Sequence, residues 1–428
     1  MSSLLGFLLG VMPVLKYGIP LILIPISIVW MIRNSNIPIM RLGFFGIQYC
    51  LFQVFLIIWH SHAAGETLNL SEKNLLITYV ATALLVVPFA GLVYSKFDQV
   101  NFGIHVGIWG SISVLAIEYF YYGHCRAAGF SSNPLIPPFI LVPLFGYFTA
   151  KRLIDGRAGI VDLLTSICLV VAVSAFGGNR MAFYILILSH LLAILYTIYA
   201  RDIFKSILIF CALSIGVVLS IFIDSYSGCN FWDRIQNQTG IISSDVNILA
   251  DVGKTMPGES VKSVETPLVN PQESSVPFTE DEDAIVPPPL PTEIVEMPQI
   301  EHSTLQRLVM WTNSVEHLKN FRFEWILGVG RASEKQIANE FTNTSYSHVH
   351  NQYLSWILEG GITGIVSAFL LFGALPFVAF RSFPVFIFMF AIASGFLTNS
   401  LMLSGEASSQ LVLIVMLVQV LEWRRMRQ

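Results

Sequence analysis

Two histidines, His348 and His350, stand where a long polar segment gives way to an apolar helix beginning near Gln352. Imidazole titrates near neutral pH, and a water–lipid boundary offers no packing reason for it. His350 precedes Asn351 at the helix start, where the positive end of the helix dipole disfavours imidazolium. A neutral imidazole can accept a proton, as a general base must; the alternative is a polar interfacial residue that caps the helix. In an extended chain His348 points the same way as His350, which makes a His-x-His metal site conceivable. Zinc needs three or four ligands and no third stands nearby, so no metal or other cofactor is expected.

Cations complete the set. Arg180 follows Phe176-Gly177-Gly178-Asn179 at the end of an apolar run. Guanidinium forks match phosphate oxygens, and the glycines let an oxygen-rich group approach the backbone; a snorkelling arginine is the alternative. Arg307 lies one turn before Trp311 on a helix over about 304–320, opened by the capping-box pattern Ser303-Thr304-Leu305-Gln306. Its alternative is a solvated helix-face charge. Arg322 and Arg331 flank the turn Trp325–Gly330, and Arg234 follows Trp232. Each alone reads as surface; together they make this region basic and an anion a plausible ligand. Glu406 could orient a base or a sugar hydroxyl. Glu118, beside an aromatic belt, reads as near the outer surface, Asp162 as a partner of Arg157, and His105 and His190 as packing residues.

The elements that must position these groups are apolar. Of 428 residues 54% are hydrophobic and only 12% charged, against roughly 25% charged in a soluble domain. Apolar runs recur at about 17–32, 42–59, 76–95, 102–121, 135–150, 158–176, 182–200, 205–223, 352–380, 383–402 and 408–423, with residues 2–15 as a further span or an interfacial segment. The expected fold is all-α: a polytopic bundle of about 11–12 spans. Alternate loops and the C-terminal tail carry Arg33, Arg41, Lys96, Lys151, Arg152, Arg157, Arg201, Lys205, Arg381, Arg424, Arg425 and Arg427, whereas the opposite short loops hold Lys73, Arg126 and Arg180. The positive-inside rule makes the first set cytoplasmic and puts 224–350 outside. The chain divides into 1–223, N-terminal spans; 224–350, a large outer loop; and 351–428, C-terminal spans. Within the loop, 251–300 is acidic and Pro-rich and reads as a disordered linker, and 303–350 as an ordered helical part. The cysteines show no paired spacing; Cys125 and Cys229 share the outer side, and free thiols are expected there ahead of a disulfide. Nothing suggests nucleic acid.

His350-Asn351, nine residues, then Gly361-Ile362-Thr363-Gly364 resembles the signature of the O-antigen ligase and Wzy-type polymerase superfamily of bacterial inner membranes. His348-Val349-His350-Asn351 is similar to the His-x-His-Asn form of ligases. Asn179-Arg180 resembles the family's Ser-Arg or Thr-Arg after a span, Arg307 with Trp311 its loop-helix arginine, and Gly328-Val329-Gly330 its Gly-x-Gly turn. One departure is the Asn where a hydroxyl residue is usual; another is the 251–300 insert, which is no family motif. The resemblance covers about residues 175–420. It implies a metal-independent, inverting glycosyltransferase of the GT-C type at the periplasmic face of a Gram-negative inner membrane. The donor would be a glycan on undecaprenyl pyrophosphate and the acceptor a sugar hydroxyl of lipid A–core. It gives His350 as general base and Arg180 and Arg307 as pyrophosphate ligands, with His348, Asn351, Trp311 and Glu406 in support. The rival readings are a Wzy-type polymerase, a protein O-glycosylating ligase, a lipid-linked glycan transporter and a scaffold acting through the linker.

Overall fold

The computed structural model describes residues 2–14, 39–63, 68, 70–95, 97–131, 133–154, 159–236, 302–320, 325–330, 337, 349–398 and 405–427. Among them every regular element is helical. In order these are α1 (Ser2–Val11), α2 (Ile39–Ala63), α3 (Leu70–Ser95) and α4 (Phe97–Tyr122). Next, α5 (Ile136–Leu144) continues through a π turn into α6 (Ala150–Ile154), and α7 (Ile160–Val171) ends in a second π turn, Ala172–Phe176. Then come α8 (Arg180–Tyr199), α9 (Ile203–Ser227), α10 (His302–Asn320), α11 (Gln352–Phe372), α12 (Leu375–Ala379), α13 (Phe383–Thr398) and α14 (Gly405–Arg427). Seven of the described helices are long and apolar enough to cross a membrane, with Ile160–Phe176 and Phe383–Leu397 as shorter apolar helices. The chain is an all-α polytopic bundle. The apolar run 17–32 lies outside the described residues, as does the acidic linker 251–300.

Residues 1–234 and 306–428 form one compact unit and 235–305 another. In the first, α14 is the most enclosed of the seven long helices, and α2 and α9 the least. α1 lies along α4 through two facing Gly-x-x-x-Gly pairs. A β-carbon on Gly6 would sit 2.0 Å from the Val100 carbonyl oxygen, and one on Gly103 2.1 Å from that of Ser3. Where lipid is as apolar as the helix, such close backbone approach drives association. Gln410 donates to the Met12 carbonyl (2.9 Å) and Ser111 to that of Gly10 (2.7 Å). Segment 2–14 is thus a packed member of the bundle.

Several polar groups inside the bundle are paired, as a low-dielectric surround favours. Gln53 donates to Ser367 (3.0 Å) and Tyr79 to Ser408 (3.2 Å). Buried Glu422 accepts from Tyr147 (2.8 Å) and faces Lys151 (3.6 Å). Asp162 pairs with Arg152 at 2.7 Å, whereas Arg157, its expected partner, lies outside the described residues. The expected packing role of His190 holds: it bonds Ser166 (2.7 Å) and the Leu186 carbonyl (2.8 Å) and stacks on Phe145.

Cys125 and Cys229 form a disulfide, which corrects the expectation of free thiols. The two are 104 residues apart in sequence, so spacing carries no signal; the pairing arises because α4 and α9 end on the same face.

Candidate functional site

His350 is the last residue before α11 and is held from both sides. Asn351 caps the helix, its side-chain oxygen accepting from the Leu354 N–H at 3.1 Å. Its amide donates to the Leu397 carbonyl at 3.2 Å, so the cap also pins α11 to the end of α13. On the other side Val349 is fully buried among Met310, Ile337 and Leu358. Its carbonyl accepts from the Trp311 indole at 2.9 Å. The helix of Arg307 is therefore fastened directly to the histidine strap. His350 itself adopts φ +53°, a left-handed conformation uncommon outside glycine, though histidine, like asparagine, visits it more than most residues. Fixed flanks enforce it, and the residue is half-buried rather than packed away.

The glycine signature explains what braces the strap. Gly361 breaks α11 with φ +58°, ψ −142°, close to a region almost reserved for glycine. The Ile362 N–H freed by the break donates to the Trp325 carbonyl (2.6 Å), that of Thr363 to Ile326 (3.1 Å), and Val329 N–H donates to Leu358 (2.7 Å). Segment 325–330 thus replaces the missing helical partners. The fit is close: a β-carbon on Gly361 would meet the Trp325 carbonyl oxygen at 2.4 Å, and one on Gly328 the Glu359 carbonyl at 2.4 Å. The two glycine motifs, separate in sequence, are halves of one joint. Gly330 lies against the His60 ring, with a virtual β-carbon 2.8 Å from Cγ. That neighbour at the end of α2 had no motif to reveal it.

Arg180 opens α8. Asn179 caps the helix by accepting from the Ala182 N–H at 3.1 Å, so the Asn in place of a hydroxyl residue supplies the same local bond. The Arg180 guanidinium donates to the Arg234 carbonyl at 3.3 Å. Immediately upstream lie the π turn Ala172–Phe176 and Gly178 at φ +55°; π turns inside α-helices are frequent at functional sites. A cation at a helix N-terminus opposes the dipole, so helix stability alone does not select arginine here.

The structure joins Trp311, Val349, His350 and Asn351 by direct bonds, with Arg307 one turn along the same helix. It brings Arg180 together with Arg234 instead. Both groups lie on one face. Tyr196 near the end of α8 stacks on Phe383 at the start of α13, centroids 4.1 Å apart, so the helices run antiparallel. From that contact α8 rises about 24 Å to Arg180 and α13 about 21 Å to Leu397. His348, Arg322 and Arg331 lie outside the described residues, and the Glu406 side chain likewise. Glu118 is a loop clamp: it accepts from the Ala128 N–H (2.9 Å) and the Gly129 N–H, and bonds His124 (3.0 Å).

Fold and site define a multi-pass membrane protein with a polar site at one end of its bundle. Residues 163–369 match the family model described as O-antigen ligase, Wzy_C. The match implies a glycosyltransferase-like enzyme. The chain matches none of the curated proteins. The matched segment spans α8, α10 and the strap, from before Arg180 to beyond Gly364.

Proposed function

We propose that the protein is an O-antigen ligase of the GT-C type. It transfers a glycan from undecaprenyl pyrophosphate to a sugar hydroxyl of lipid A–core, at the periplasmic face of a Gram-negative inner membrane. His350 takes the proton of the acceptor hydroxyl. The oxygen attacks C1 of the donor sugar from the side opposite the leaving group. The C1–O bond to pyrophosphate breaks, its electron pair stays on the phosphate oxygen, and the anomeric centre inverts. Pyrophosphate needs charge stabilisation more than protonation, and Arg180 and Arg307 supply it. His348 and Glu406 lie close in sequence to the two ends of this site, and Asn351 and Trp311 hold the strap.

The observation that carries this reading is the fixed, left-handed His350, with Asn351 capping on one side and the Val349 carbonyl bound by Trp311 on the other. A titratable group held so rigidly at the end of a membrane bundle suits proton transfer. The disulfide on the same side supports an oxidising compartment, in accord with the basic residues of the opposite loops.

Complementation of a ligase-deficient strain tests it. His350→Asn is the informative variant, because asparagine tolerates positive φ but is no base; His350→Ala adds backbone strain. Both should lose activity about 10²–10⁴-fold at matched expression, with long lipid-linked chains accumulating. Short single-repeat caps on lipopolysaccharide would indicate a polymerase instead. Full activity of His350→Asn would end the general-base role, and full activity of both Arg180→Ala and Arg307→Ala would end the clamp.

A further inference from the structure

The Cys125–Cys229 disulfide lies beside the Arg180 turn, and the residues it fixes are arginines. Arg126 follows Cys125, and Arg234 stands on the helical stretch 231–236 that follows Cys229. Both reach the same glycine. A β-carbon on Gly178 would find the Cys125 carbonyl oxygen at 2.8 Å, Arg126 Cγ at 3.2 Å and Arg234 Nη2 at 3.6 Å. Arg180, two residues on, donates to the Arg234 carbonyl at 3.3 Å. Three elements distant in sequence therefore bring three arginines around one turn.

The frame around them is stiff. Ala127 N–H donates to the Phe176 carbonyl at 2.8 Å, tying the Arg126 loop to the π turn. Trp232 donates its backbone N–H to Asp224 (3.1 Å) and its indole to Ser220 (3.2 Å), and packs edge-on against Phe183 on α8. Asp224, the acid at the end of α9, takes the Trp232 N–H on Oδ2 and so anchors the stretch that carries Arg234. Clustered like charges favour an anion between them, and three arginines around one turn suit a group with oxygens on two phosphorus atoms better than one.

We propose that Arg126 and Arg234 form, with Arg180, a pyrophosphate-selective subsite whose geometry the Cys125–Cys229 disulfide holds. This rests on the ligase reading, which supplies the lipid-linked pyrophosphate but assigns neither residue nor the disulfide. Arg126 and Arg234 bind substrate; the cysteines position them.

The test measures binding of undecaprenyl pyrophosphate and of undecaprenyl monophosphate to the full-length protein in lipid nanodiscs. Wild type should prefer the pyrophosphate. Arg126→Gln and Arg234→Gln, which leave the disulfide intact, should each weaken pyrophosphate binding about tenfold and monophosphate binding far less, with lysine variants in between. Cys125→Ser/Cys229→Ser, and wild type reduced by a phosphine, should lose the same preference. A merely structural role would weaken both lipids together. Pyrophosphate preference intact in both glutamine variants would overturn the subsite, and preference intact after reduction would overturn the role of the disulfide. Both results leave the ligase reading standing; wild type binding neither lipid would remove it and the subsite together.

Discussion

Asn179 does at the start of α8 what a serine or threonine would do: its oxygen accepts an otherwise unpaired helix N–H. Asparagine and serine are near-equal caps, while alanine costs about 1 kcal/mol. Asn179→Ser should therefore keep near-full activity and stability. Asn179→Ala should lower the melting temperature and misplace Arg180, cutting glycan transfer several-fold. Thermal melts and transfer assays on both variants check this, and a Ser variant as impaired as the Ala variant would mean that the amide does more than cap. The sequence located Arg180 because charge, glycines and span end coincide there. It could not show that Asn179 caps, since Asn before a helix and Asn in a second contact look alike. Glu118 shows the same limit: the aromatic belt marked it only as near the outer surface, and three hydrogen bonds in the structure assign it to its own loop.

The element that sets the site is the broken helix α11 with the 325–330 segment laid into it. Both glycine motifs were legible as spacing, and so was the turn before the histidine. Their mutual packing was not, because it is made of backbone hydrogen bonds that leave no side-chain pattern. The joint predicts a contrast between adjacent glycines. Gly361 combines positive φ with a virtual β-carbon 2.4 Å from a carbonyl oxygen, whereas one on Gly360 meets only the flexible end of Leu56 at 3.1 Å. Strained backbone of this kind costs about 1–3 kcal/mol before any clash is counted. Gly361→Ala should thus abolish transfer and markedly lower the melting temperature, while Gly360→Ala should stay near wild type. Equal melting temperatures for the two would contradict the joint. Trp311→Phe probes its other side: it leaves the buried Val349 carbonyl without the indole donor, which costs about 1–3 kcal/mol. Transfer should fall because the strap loosens, although phenylalanine preserves most of the packing against the buried cluster of Met310, Ile337, Val349 and Leu358.

At the scale of the molecule, hydropathy and basic-residue placement were enough for an all-α polytopic bundle, because lipid imposes length and charge rules on every span. What they could not give was the order of packing: that α14 sits innermost, or that segment 2–14 belongs to the bundle through glycine contacts with α4. The disulfide escaped as well, since a contact between two helix ends is fixed only by the assembled fold. The acidic, Pro-rich stretch 251–300 is a different case, for its composition argues against a packed core. Every bond made to Val349, Asn351, Arg180 and Trp311 described above comes from residues outside it. Deleting 255–295 therefore removes none of them. The residues left between 236 and 302 still reach on the order of 80 Å extended, and shortening a connection this much lowers its closure cost by only about 1 kcal/mol. The deletion protein should insert, keep its Cys125–Cys229 bond and retain most of its transfer activity in the complementation assay. A protein acting as a scaffold through its proline run would instead lose all function with its bundle intact, so normal insertion and thiol protection combined with complete loss of surface polysaccharide would turn the argument from the bundle to the linker.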